Sequence, residues 1–149
     1  MSEFEQATAT ATGSEPAASN GEIALRALVT AGRFLEAARV EIPNIARQLR
    51  EGSLPEAMGG LGNLLEGLGS IARLTVDMEQ VVGPASRLRE RVDLGDLTVN
   101  LKEIVRGQEE QDWHRVADVV EHRIAPRLAA WQEAFSAELE ALRQRAPGA

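Results

Sequence analysis

Apolar residues recur along this chain at alternating steps of three and four, the spacing that lines one side of an α-helix. The first such run is Ala24, Leu28, Ala31, Leu35, Ala38, Ile42, Ile45 and Leu49, in phase for about seven turns. Pro43 lies inside it. A proline removes one backbone hydrogen bond and strains the preceding turn, but the phase carries across it, so the pattern predicts one kinked helix rather than two. Ser19 and Glu22 form the capping-box signature that opens a helix, and Gly52 stands where a helix ends in left-handed backbone.

A second helix is predicted at once, because Ser53-Leu54-Pro55-Glu56 repeats the capping signature. Its stripe is Leu54, Met58, Leu61, Leu65, Leu68 and Ala72, widened by Ala57, Leu64, Ile71 and Met78, and Gly83-Pro84 stops it. Residues 84–92 read as a connector with room for a short helix. Asp93 or Asp96 then caps a third helix bearing Leu94, Leu97, Leu101 and Ile104. Asp112 caps a fourth, whose stripe is Trp113, Ala117, Val120, Ile124, Leu128, Trp131, Phe135 and Leu142, with Pro126 expected to kink it near its middle.

The chain also resembles itself at an offset of 59. Leu35, Ala38, Ile42 and Ile45 map onto Leu94, Leu97, Leu101 and Ile104, and Glu51-Gly52-Ser53-Leu54 maps onto Glu110-Gln111-Asp112-Trp113. Any two amphipathic hairpins can be slid into register, so the matching turns are the better part of this signal. The expected fold is all-α: an antiparallel bundle of four long helices built from two αα-hairpins, with a short fifth helix in the connector.

Residues 1–18, rich in Ala, Thr, Ser and Glu, cannot bury enough surface to offset chain entropy and are expected to form a flexible tail. That leaves a helical domain over residues 19–146 and a frayed end at 147–149. Aromatic residues are scarce (three Phe, two Trp, no Tyr), so packing rests on aliphatic side chains. Cysteine is absent, which excludes disulfides, thiolate metal sites and a cysteine nucleophile, and fits a reducing cytoplasm. No basic, apolar leader opens the chain, and no apolar run reaches the roughly 18 residues of a membrane span. A soluble cytoplasmic protein is expected.

Net charge is −7. Glu3, Glu5 and Glu15 lie in the tail, so the rest of the chain holds 20 acids against 16 bases, a balance unlike that of a nucleic-acid binder. Fifteen of the bases are arginine, which suits ion pairs between helices better than lysine does.

The most unusual segment is Gly60-Leu61-Gly62-Asn63-Leu64-Leu65-Glu66 followed by Gly67-Leu68-Gly69-Ser70-Ile71-Ala72-Arg73, a heptad written twice. Gly60 and Gly67 flank one side of the leucine stripe, Gly62 and Gly69 the other. Four glycines inside a helix forgo roughly 2–4 kcal/mol relative to alanine, so an offsetting gain is expected. Close approach of neighbouring helices is the plainer reading. A groove for a partner's helix is the functional one, with Gly60, Leu61, Gly67, Leu68 and Ile71 as candidate partner-binding residues.

Other motifs carry less. Gly67-Leu68-Gly69-Ser70-Ile71-Ala72 has the spacing of a dinucleotide-binding loop, but that motif needs a strand before it, and here a helical stripe runs straight through. His114, Asp118 and His122 are spaced by four, yet they drift from the flank of the stripe to the solvent side. Arg87, Arg89 and Arg91 with Glu90 read as an exposed charged linker. Trp113 and Trp131 share one stripe, as core anchors or, if exposed, as a binding hot spot. No catalytic, cofactor-binding or metal-binding set emerges, and the chain is expected not to be an enzyme.

Two resemblances add to this. The run from Gln111 to Trp131, with Trp113, Ala117-Asp118-Val119-Val120-Glu121 and then Pro126 and Trp131, resembles the C-terminal helix of a small bacterial family of uncharacterised helical proteins. More loosely, the long hairpins and the late Trp131 resemble flagellar secretion chaperones of the FliS type, acidic helical bundles that hold a partner's helices before export. That likeness implies a chaperone- or adaptor-like protein-binding module that engages partner helices. The alternative is a self-assembling structural protein, an obligate oligomer without another ligand. The glycine-rich second helix and the two mid-helix prolines depart from the chaperone pattern, so no binding residue is carried over from it.

Overall fold

The computed structural model describes residues 20–145, and among them every regular element is helical. The tail at 1–18, the cap Ser19 and the end at 147–149 lie outside the described residues. Helix α1 spans Asn20–Glu51 and α2 Leu54–Val82. A 3-10 turn, Gly83–Ala85, and the short α3, Leu88–Arg91, form the connector. Then come α4, Leu94–Glu109, and α5, Trp113–Val119, which runs through a π-helical turn at Val120–Ile124 into α6, Ala125–Arg145.

Helix α1 buries all eight residues of its predicted stripe and stays a single helix through Pro43, whose ring is on the solvent side. It lies between α2 on one side and the α5–α6 rod on the other. Both pairings are antiparallel. Gly60 faces Ile45 and Gly67 faces Phe34 across the first, while Arg50 reaches Asp118 and Arg39 reaches Gln132 across the second.

Helix α2 departs from the expected orientation. Its buried line is Ala57, Leu61, Leu64, Leu68, Ile71, Thr75 and Met78, whereas Met58, Leu65 and Ala72 are only half-buried. The reason lies in the glycines. Gly60 and Gly67 adjoin Leu64 and Ile71, so α1 comes in close on that side and covers it. The Met58/Leu65/Ala72 side has no such neighbour, since α4 touches α2 at few points. Thr75, buried in the line, satisfies its hydroxyl by donating to the Ile71 carbonyl at 2.9 Å.

The two hairpin turns share their backbone geometry at the predicted offset. Gly52 takes φ 82°, and Ser53 N–H donates to the Gln48 carbonyl at 2.9 Å. Gln111 takes φ 56°, and Asp112 N–H donates to the Gly107 carbonyl at 2.8 Å. Both are left-handed helix ends with the six-to-one bond of a Schellman motif. The caps of the helices they lead into differ. Asp112 accepts from Arg115 N–H at 3.2 Å, and Asp93, rather than Asp96, caps α4 by accepting from Asp96 N–H at 3.0 Å. Ser53 makes no side-chain cap bond, so the expected capping box does not form. Pro55, second in the helix, has no N–H to offer, and the Ser53 N–H that Glu56 would accept in a capping box is already donated to the Gln48 carbonyl.

The connector is more firmly held than a charged linker. Leu88 and Val92 are fully buried, and the buried Glu138 of α6 accepts the Arg87 backbone N–H at 3.2 Å. Pro126 interrupts α-helical bonding through a π turn, in which Ala125 N–H reaches back five residues to the Val120 carbonyl. The stripe stays buried on both sides of that turn, from Ala117 and Val120 to Leu128, Trp131 and Phe135.

Candidate helix-binding face

Beside their core-facing lines, α1 and α2 each present a second line at the same three-four spacing. On α1 it is Ala27, Thr30, Phe34, Ala37 and Glu41; on α2 it is Gly60, Asn63, Gly67, Ser70 and Leu74. The two lines border one groove, and Phe34 divides it. Its ring lies so close over Gly67 that a Cβ there would be 2.0 Å from Phe34 Cε1 and 2.2 Å from Cζ. At Gly60 a Cβ would be 2.9 Å from Ile45 Cγ1. By contrast, a Cβ at Gly62 or Gly69 would meet nothing within 4 Å. One glycine track is therefore filled by the chain's own helix α1, and the other is open.

On either side of Phe34 the groove deepens into a hollow. The first, about 480 Å³, is bordered by Ala27, Thr30, Phe34, Gly67, Ser70 and Leu74, with Arg26 as its one charged residue. The second, about 450 Å³, is bordered by Phe34, Ala37, Ala38, Gly60, Asn63 and Leu64, with Glu41 as its one charged residue. Small side chains keep the floor low, while Ser70, Thr30 and Asn63 supply a polar but uncharged rim.

Of the residues singled out from sequence, Gly60, Gly67 and Ile71 border this groove. Leu61 and Leu68 do not: both are fully buried in the core. Sequence reasoning missed Phe34, Thr30, Asn63 and Ser70. The signal that could have found them is a second three-four line on each helix, one position off the apolar stripe and made of small residues.

The remaining candidates are placed elsewhere. The Gly67–Ala72 run is mid-helix in α2, with no strand before it. His114 and His122 are exposed, and the Asp118 carboxylate accepts Arg50 Nη2 at 2.8 Å, a bond that holds its pKa below the usual carboxylate range. Glu121 shares the same arginine at 2.6 Å. On α5, Arg115 grips both carboxylate oxygens of Glu103 at 2.8 and 2.7 Å, and this lowers the Glu103 pKa in the same way. Arg127 joins Asp96 of α4, so arginines tie α4 and α1 to the last rod. In the connector, Arg87 pairs with Glu90 and Arg89 with Glu79. Trp131 is a core anchor and Trp113 is half-buried.

The family model described as Domain of unknown function (DUF8042) matches residues 27–134. The chain belongs to that family. No curated protein and no solved structure matches it. The DUF8042 match opens at Ala27, the first groove residue of α1, and runs past the π turn to Ala134. It therefore takes in both lines of the groove and both Schellman turns, and leaves the last turns of α6 outside. Among the described residues no helix is long and apolar enough to cross a membrane.

Proposed function

We propose that this DUF8042 protein is a non-enzymatic, cytoplasmic protein-binding module that receives helices on the α1–α2 face, in a chaperone- or adaptor-like role. The observation that carries this reading is the groove itself. It is formed by two long helices, bears one charge in each hollow, and is low enough, through its Ala, Thr and Ser positions, for another helix to come close. Antiparallel pairing around α1, together with the shared turn geometry, supports a bundle of two αα-hairpins, α1–α2 and α4–α6, in which the first hairpin carries the binding face. A FliS-like manner of holding a partner's helices belongs to the same reading.

The test is affinity capture from the host's lysate with wild type and with Ala37→Arg, whose side chain would fill the second hollow from an exposed position. A helical partner retained in stoichiometric amount by wild type and lost by the variant, with unchanged thermal melting, supports the face. A partner held equally by both refutes it. Gly60→Leu and Gly67→Leu are poor probes of this groove, because the space beside those glycines belongs to Ile45 and Phe34.

A further inference from the structure

We infer that the α1–α2 face is occupied by the same face of a second copy of the chain, related by a two-fold axis that crosses both helices at the level of Phe34 and Gly67. The inference rests on the reading of this face as a helix-receiving surface and names its occupant.

The groove is symmetric about that level. Arg26 precedes Phe34 by eight residues and Glu41 lies seven beyond it, or roughly 12 Å and 10 Å along the helix. On α2, Gly60 and Leu74 lie seven residues to either side of Gly67. The two charges are of opposite sign, and each is alone in its hollow. Among the described residues neither is held in an ion pair. A two-fold axis in the plane of the face stacks α1 on the α1 of the other copy in antiparallel sense. Arg26 of each copy then meets Glu41 of the other, twice, while Thr30 meets Ala37 and the two Phe34 rings come together at the axis. On α1 small residues thus oppose small residues, on α2 Leu74 of each copy lies over Gly60 of the other, and the charges bordering the hollows neutralise one another. A parallel arrangement would set Arg26 near Arg26 and Glu41 near Glu41, so charge selects the antiparallel one.

The extent is sufficient. From Ile23, itself exposed, to Glu41 the face runs roughly 27 Å, and two helices make it roughly 20 Å wide, about 540 Å² per copy. The pair buries about 1,100 Å², at the lower end of specific interfaces, which points to a reversible dimer.

The experiment is sedimentation of the full chain, wild type and charge-reversed, from micromolar to sub-millimolar concentration. Wild type is expected to approach twice 16.1 kDa as concentration rises. Arg26→Glu and Glu41→Arg, both exposed positions, should each stay folded and weaken the dimer by about tenfold or more. Mixed one to one, the two variants regain complementary charges and should associate to within about threefold of wild type. A wild type that remains monomeric throughout overturns the second-copy assignment, and the Ala37→Arg capture then judges the face on its own. A dimer untouched by both reversals and by Ala37→Arg assembles through another surface and overturns the assignment as well.

Discussion

The ring of Phe34 occupies the space that any side chain at position 67 would need, at 2.0 Å from the place of a Cβ. This contact sets how close α1 and α2 come and divides the surface groove in two. It also makes the glycine at 67 a partner of the phenylalanine rather than a free concession to flexibility.

Gly67→Ala is therefore expected to cost about 1–2 kcal/mol, because the displaced ring outweighs the gain in helix propensity. In a Phe34→Ala background the same change should stabilise by about 0.5–1 kcal/mol. Chemical denaturation of the four proteins of this cycle checks the coupling, and a Gly67→Ala effect of the same sign in both backgrounds contradicts the contact.

The other glycine track makes the opposite prediction. Gly62 and Gly69 have helical backbone and nothing within 4 Å of a built Cβ. Alanine at either site is expected to stabilise by about 0.5–1 kcal/mol, read as a higher denaturation midpoint. Loss of stability at either site would mean that the α2 surface around that glycine is covered.

This contrast shows where sequence reasoning stopped. The α1 stripe, the Gly52 turn, the Asp112 cap and the interruption at Pro126 were legible, because each depends on residues within about a turn of one another. Helix α2 carries apolar residues on both sides of Leu61 and Leu68, so periodicity alone could not say which side is buried. The close approach of Ile45 and Phe34 to its glycines decides that, from residues in another helix. The capping box at Ser53 failed because the Schellman bond of the preceding turn already takes the Ser53 N–H that Glu56 would have accepted. The anchoring of Arg87 by Glu138 joins positions 51 residues apart and leaves no trace in a local pattern. Of the α1–α2 groove, the glycines were visible. Phe34, which gives the groove its two hollows, was not.

The second Schellman turn holds a non-glycine residue in left-handed backbone, Gln111 at φ 56°. Gln111→Gly should stabilise by about 0.5–1 kcal/mol, while Gly52→Ala at the matching turn should destabilise by about 1 kcal/mol. Thermal melts of the two variants decide this, and opposite signs to those expected would contradict the shared turn geometry.

The arginine ties predict a pH dependence. Hydrogen bonds from Arg115 and Arg50 hold the Glu103 and Asp118 carboxyls below the usual range. A carboxyl with a lowered folded pKa adds stability that is present above its ordinary pKa and is lost as pH falls through the lowered one. Stability should thus hold at neutral pH and fall below about pH 4. Arg115→Gln should shrink the acid-side loss, measured as urea midpoints between about pH 7 and about pH 3. An unchanged loss would show that the Arg115–Glu103 pair contributes nothing to it.

The proposed docking of a helix in the α1–α2 groove can be read at the groove itself. The absence of cysteine allows a single thiol to be placed at will, so Thr30→Cys, labelled with a polarity-sensitive fluorophore, reports from inside the first hollow. The same label at the exposed Ala137→Cys on α6 serves as the control. Assembly is expected to shift the Thr30 label's emission to the blue and shield it from a soluble quencher, leaving the position 137 label unchanged. A complex that forms while the label at position 30 stays in water would place the docking surface elsewhere.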